Sequence, residues 1–166
     1  GIAKHKCATL AEAEMLARAG VCDIFLAYNL VGPNIPRAVR LLQTYAGVNL
    51  AVTADHAQPV AALGEAMHRA RRSVDVLLDI DTGMHRTGMQ VGPEAAALYR
   101  HIERTPGLRP GGLHVYDGQN HQSAVAERAA AVHTAWERVV PFRDELVSAG
   151  LPVPRIVAGG TGTFPV

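Results

Sequence analysis

Arg86 sits in the run Asp81-Thr82-Gly83-Met84-His85-Arg86-Thr87-Gly88, directly after the apolar stretch Val74 to Ile80. A strand ending in such a turn delivers an Asp, a Thr and an Arg to one spot. An Arg held between Gly83 and Gly88 is preorganised to hydrogen-bond an anion or a phenolate. A second run, Gly159-Gly160-Thr161-Gly162-Thr163, follows the short apolar segment Ile156-Val157-Ala158. It offers successive backbone N–H groups and two hydroxyls, a nest suited to phosphate, although taken alone it is also a common flexible turn. In the third, Gly112 to His121, an aromatic and two histidines share a rim. His114 and Tyr116, two positions apart on a strand, point to the same side, where they serve a ligand or form an interior pair satisfied by neighbours.

Other reactive side chains carry less. His68, His101 and His133 fall within predicted helices and read as surface residues, while Asp55, His56 and His121 are candidates for the rim only. Cys7 and Cys22 lie in apolar, strand-like contexts and read as reduced core thiols, which makes a reducing cytoplasm the default compartment.

The elements that position these residues follow one repeating pattern. Residues 1 to 8 are extended; Thr9 is placed to cap a helix over Leu10 to Ala19 that stops at Gly20. Asp23 to Tyr28 reads as a strand and Arg37 to Ala46 as a helix, then Asn49 to Thr53 as a strand and Pro59 to Arg71 as a helix. Val74 to Ile80 is a strand, Pro93 to Arg104 a helix with Pro93 in its first turn, and Leu113 to Tyr116 a strand. Ser123 to Ala149 is a helical stretch that Pro141 should kink or divide, and Ile156 to Ala158 is the last strand. Strands that read as apolar throughout are covered on both faces, and right-handed crossovers make them parallel. Polar residues close nearly every strand, from Lys4 to Cys7 through to Gly159 to Thr163. A ring of contributing strands favours a barrel over a doubly wound sheet, which gathers its site at one switch point. The fold class expected is therefore α/β, a single domain over residues 1–166 forming an incomplete parallel (β/α) TIM-like barrel with about six of the eight units.

The chain has 166 residues, of which 48% are apolar, 19% charged and 5% aromatic, with a formal net charge of +1. That composition suits a globular domain of helices on a parallel sheet. No basic stripe with interleaved aromatics suggests nucleic acid, and no apolar run approaches the ~18 residues of a membrane span. The N-terminus also lacks the order of a signal peptide.

DTGMHRTG, GLHVYDG and GGTGT, in that order and spacing, resemble the fold type III pyridoxal-phosphate enzymes built on the alanine-racemase-like barrel. The likeness is greatest to their D-threonine aldolase and D-serine dehydratase branch. The segment CATLAEAEMLARAGVCDIFLAYNLVGP, Cys7 to Pro33, is similar to that branch too, so the resemblance covers the chain as the middle part of such a barrel. It implies that Arg86 contacts the phenolic oxygen of pyridoxal 5'-phosphate and that Tyr116 lies against the pyridine ring. It implies as well that Gly160, Thr161, Gly162 and Thr163 help hold the phosphate.

The activity implied is that of a lyase that cleaves or dehydrates a small β-hydroxy D-amino acid through an imine with the cofactor. A racemase of the same fold, or a noncatalytic barrel that binds pyridoxal phosphate or another phosphorylated ligand, would use the same residues. In the branch the imine lysine follows the first barrel strand, in a segment like PHxKTHK that Ala3-Lys4-His5-Lys6 imitates. Because Cys7 to Glu14 matches the second strand and helix of the branch, that lysine is expected upstream of Gly1. The divalent metal expected for full-length members, whose ligands lie in a C-terminal β domain, has no ligand set here, and a homodimer is the possible assembly.

Overall fold

Strand and helix alternate without exception along residues 1–166, all of which the computed structural model describes. The elements are β1 Lys4–Cys7, α1 Leu10–Arg18, β2 Asp23–Asn29, α2 Asn34–Thr44, β3 Asn49–Ala54, α3 Ala57–Arg69, β4 Val74–Asp81, α4 Pro93–Arg104, β5 Leu108–Tyr116, α5 Val125–Ser148 and β6 Ile156–Ala158. Every neighbouring pair of strands is parallel, and their order in the sheet is β1-β2-β3-β4-β5-β6. A doubly wound sheet reverses its strand order partway; this one never does. The architecture is thus a six-stranded portion of a (β/α) barrel, with β1 and β6 as its two edges.

Side-chain parity separates two layers. Ile24, Leu26, Leu50, Val52, Val76, Leu78, Ile80, Leu113 and Val115 face the helices and join Ala13, Ala38, Leu41, Leu63, Met67, Tyr99, Ile102 and Leu146 in one core of 33 buried residues. On the opposite, inner face only Phe25, Ala51 and Leu77 form a buried apolar cluster, flanked by Ala27 and Val157. The strands are therefore not apolar on both sides. In Val74-Asp75-Val76-Leu77-Leu78-Asp79-Ile80-Asp81 the valines, Leu78 and Ile80 face outward, and all three aspartates share the inward parity.

Local signals explain most boundaries. Thr9 caps α1 in a capping box, its hydroxyl accepting from the Glu12 N–H at 3.2 Å while the Glu12 carboxylate accepts from the Thr9 N–H at 2.9 Å. Helix α2 starts at Asn34, three residues before the position its periodicity suggests, because Pro36 lies in the first turn, where a missing N–H costs nothing. Helix α3 begins at Ala57 because His56 is its N-cap, with Nδ1 accepting from the Gln58 N–H at 3.2 Å. Strand β5 begins at Leu108 rather than Leu113. A register shift between Val76 and Leu77 absorbs Pro110 and the glycines that follow it. Helix α5 runs through Pro141 undivided. Cys7 is buried, and burial pushes its thiol up to about 11, with the Glu12 charge adding to the shift. Cys22 is exposed, contrary to the expectation of a core thiol.

Candidate cofactor site

Parallel strands place all their C-terminal ends on one rim, and the predicted residues arrive there from β4, β5 and β6. The turn after β4 is the most constrained part of the rim. Asp81 Oδ1 accepts from the N–H groups of Gly83 at 2.9 Å and His85 at 3.0 Å, and Oδ2 lies 2.7 Å from His85 Nδ1. Partial burial pushes the Asp81 carboxyl up, but these hydrogen bonds together with the ring's charge outweigh it and hold the carboxyl below the usual carboxylate range. Beyond the turn the chain returns to β4: Met89 N–H donates to Asp79 O and Asp81 N–H to Met89 O, each at 2.9 Å. Gly88 closes the loop at φ +94°, and a Cβ there would sit 2.8 Å from Asp81 N and 3.0 Å from Ile80 C. No other residue fits that closure.

Asp55 anchors the same turn from β3. Its Oδ2 accepts from the Gly88 N–H at 2.9 Å and its Oδ1 from the Asn29 amide, whose own oxygen accepts from the Thr53 hydroxyl at 2.9 Å. The Asp55 carboxylate thus acts as a strut, a role more specific than a place on the rim.

Arg86 emerges from this scaffold with its guanidinium carbon 5.1 Å from the Tyr116 ring centroid and 5.7 Å from that of Tyr28. These are cation–π distances, and no carboxylate pairs with the group. Its N–H donors have no acceptor on the protein. Tyr116 lies nearly parallel to the His114 ring, with centroids 6.5 Å apart and planes 4° apart, which bears out the shared side expected of the two residues. A Cβ on Gly118 would come within 2.4 Å of the Tyr116 hydroxyl, and one on Gly160 within 3.4 Å of the ring edge. Both glycines let backbone pass against the tyrosine.

The loop after β6 reaches the same ring. Thr163 is buried, and its hydroxyl donates to Asp117 Oδ1 and accepts from the Gly160 N–H, each at 2.9 Å. This fixes the loop, while the N–H groups of Thr161 and Gly162 take no part in its backbone hydrogen bonds. A cavity of about 720 Å³ lies between Tyr116, Gly159 to Thr161, Thr163 and Trp136. Another of about 470 Å³ lies between Tyr116, Tyr28 and Arg86, and the two share Tyr116 and Lys6 as walls.

In the sequence Lys6 stands only in a segment that imitates an imine-lysine motif, and Asp79 only in an apolar stretch. The structure joins them through His114. His114 Nδ1 lies 2.7 Å from Asp79 Oδ1, both side chains being buried, and His114 Nε2 lies 3.2 Å from Lys6 Nζ. The period-two placement of Asp75, Asp79 and Asp81 was the available signal for this inward acidic row. His68, His101, His121 and His133 are exposed, His121 standing at the rim and the others on helices. No group of three or more His, Cys, Asp or Glu side chains converges closely enough to hold a metal ion.

Comparisons with known proteins give one family. The family model described as alanine racemase, N-terminal domain, matches residues 1–165. A D-threonine aldolase from Arthrobacter sp. is 28% identical over 158 residues, covering 95% of this chain and 41% of its own length. A D-threo-3-hydroxyaspartate dehydratase from Delftia sp. is 33% identical over 161 residues, with coverage of 93% and 41%. The crystal structure of a D-threonine aldolase from Filomicrobium marinum superposes with a TM-score of 0.91 at 29% identity, over 99% of this chain and 44% of that one. The chain thus spans less than half the length of each of these relatives.

Proposed function

The chain belongs to the alanine racemase N-terminal domain family, and from that membership we propose that its strand-end rim is the pyridoxal 5'-phosphate cradle of a lyase acting on β-hydroxy D-amino acids. The observation that carries the reading is Arg86, a cation without a carboxylate partner held over the face of Tyr116 by a turn closed at Gly88. A pyridine ring with an anionic oxygen on one side and a phosphate at one end matches what this surface leaves unsatisfied. The fit has three parts: free guanidinium donors beside Tyr116, an aromatic wall shared by two cavities, and free N–H groups at Thr161 and Gly162.

When bound, the cofactor would supply an electron sink for the bonds at the substrate's Cα. The chain's own residues would do the rest. Arg86 donates to the phenolic oxygen and holds charge there; a guanidinium stays protonated throughout and fixes the oxygen as an acceptor. Tyr116 limits rotation and tilt of the ring. Gly160, Thr161, Gly162 and Thr163 form the phosphate loop, with Thr161 and Gly162 contributing N–H donors and the buried Thr163 hydroxyl tying the loop to Asp117. Neutral donors of this kind bind phosphate without titrating. In this reading neither Lys4 nor Lys6 bonds covalently to the cofactor. The 28–33% identity to an aldolase and a dehydratase favours cleavage or dehydration at the β-hydroxyl over racemisation.

Absorbance titration of the chain with pyridoxal 5'-phosphate and with its dephosphorylated form tests the assignment. The phosphorylated form is expected to bind more tightly by at least about tenfold, the worth of one or two charge-assisted hydrogen bonds. Equal affinity for both forms removes the phosphate loop, and no binding of either removes the cradle.

A further inference from the structure

Lys6, His114 and Asp79 make a chain of hydrogen bonds that none of the cofactor contacts uses. A carboxylate can only accept, so the 2.7 Å contact requires the Nδ1–H of His114 to donate to Asp79. In the neutral ring Nε2 is then a bare lone pair, and it faces the Lys6 ammonium at 3.2 Å. Moving one proton from Nζ to Nε2 turns a lysine ammonium beside a neutral imidazole into a neutral amine beside an imidazolium held by Asp79. The three groups carry no net charge in either state, and the positive charge that moves inward onto His114 is paired there with the Asp79 carboxylate. Asp79 and His114 are sealed from solvent at 5% and 4% exposure, whereas Lys6 Nζ stands in the open site, 5.5 Å from the Tyr116 ring centroid and 5.9 Å from that of Phe25.

From this geometry we propose that Lys6, His114 and Asp79 form a proton relay, in which Lys6 Nζ exchanges a proton with a ligand lying against Tyr116 and His114 stores it. With the proton on His114, the Lys6 amine takes a proton from an acidic C–H or O–H of the ligand, leaving a ligand anion and a lysine ammonium. With the proton on Lys6, the same group returns one to the ligand. Lys6 is a wall of both cavities, so it reaches ligand on either side of the tyrosine. Its surroundings favour ready exchange. Burial lowers its pKa below that of an ordinary lysine, Asp79 opposes the shift and Arg86 reinforces it. Glu12 and Tyr28 also border the Arg86 side of the site, and Asp117 on the other side is occupied by the Thr163 hydroxyl. The identity of the ligand rests on the proposed cofactor cradle; the relay itself does not.

The chain has only two lysines, Lys4 and Lys6, so each serves as the other's control. Competitive labelling of the ligand-free chain with acetic anhydride across a pH series, read at both residues by mass spectrometry, tests the relay without any catalytic assay. Lys6 is expected to label at least about threefold faster than the 78%-exposed Lys4 at neutral pH, despite its poorer access. Asp79→Asn is expected to move the Lys6 midpoint to lower pH, and to move it less in a His114→Phe background, because the imidazole carries part of the carboxylate's effect. Lys6 labelling no faster than Lys4 overturns the proposal and needs no variant to fold. So does an Asp79→Asn shift that is unchanged when His114 is absent, which would mean that the carboxylate acts directly through space. Protection of Lys6 by bound pyridoxal 5'-phosphate supports its place at the ligand, and binding without protection removes it. If the cofactor does not bind, the cradle fails while the labelling result still decides the relay.

Discussion

Strands β4 and β5 carry ionic groups at both ends of the barrel's inner face, and the two ends treat them in opposite ways. At the N-terminal end Asp75 accepts from Arg109 Nε at 2.7 Å and from Arg155 Nη2 at 3.0 Å, and Arg109 also reaches the Ser73 hydroxyl. Two arginines and one aspartate saturate each other there. At the C-terminal end Asp79 and Asp81 hold histidines, while Arg86 and Lys6 rest against aromatic rings and a ring nitrogen, with no carboxylate in contact. The same parity on the same strand thus produces a clamp at one end and unspent donors at the other. Closed pairs contribute to the fold; open ones are available to a ligand.

Truncation at either end should expose this division, and the largest effect is expected at Asp79. Asp79→Ala leaves the buried His114 Nδ1–H without an acceptor and should lower unfolding stability by about 3 kcal/mol in a denaturant titration, the range for breaking a buried pair. A cost below about 1 kcal/mol would mean that water or rearrangement satisfies the ring. Arg86→Ala should reverse the pattern. Because its guanidinium has no carboxylate partner, the unfolding midpoint should hardly move, while affinity for pyridoxal 5'-phosphate should fall by roughly 10- to 100-fold, the equivalent of about 1.5–3 kcal/mol for a hydrogen bond to a charged group. Asp75→Ala is the mirror image. It should cost about 1 kcal/mol of stability, as expected for ion pairs that stay partly open to solvent, and leave cofactor affinity as it was.

The smallest effect concerns pH. The Asp81 carboxyl titrates lower in the folded chain than in the unfolded one, so it adds stability above the unfolded value of about 3.9. That contribution is lost as pH falls through the lower folded value. Asp81→Asn should therefore lower the neutral and alkaline plateau of a stability-versus-pH curve without changing its slope there, and flatten its acid side below about pH 4. A curve that keeps its slope would place the acid sensitivity elsewhere, for example at the half-buried pair of Glu14 and Arg37.

The six-strand order, the capped start of α1, the full extent of α4 and β6, and the three runs that meet at the rim are legible in the sequence. Each of those depended on local chemistry: a capping Thr9, Pro93 in a first turn, glycines after a strand. Features set by partners distant in sequence were less legible. Strand β5 looked shorter because Pro110 and two glycines break a β pattern, yet a shifted register against Val76 and Leu77 accommodates them. Asp79 passes in the sequence as part of an apolar strand because its acceptor role depends on His114, 35 residues away. Asp55 looked like one rim residue among several until the Gly88 amide, 33 residues away, gave it a function. Cys22 was misplaced because an apolar neighbourhood in sequence does not determine which side of a short loop a side chain takes.

One division follows from these contrasts, between a cofactor cradle proposed at the open end of the barrel and a structural clamp at the closed end. Dissociation constants for pyridoxal 5'-phosphate, measured side by side for the chain, Arg86→Ala and Asp75→Ala, test that division most directly. The division predicts binding by the unaltered chain, at least about tenfold weaker binding by Arg86→Ala, and Asp75→Ala within about twofold of the unaltered chain. Equal weakening by both substitutions, or none by Arg86→Ala, would contradict it.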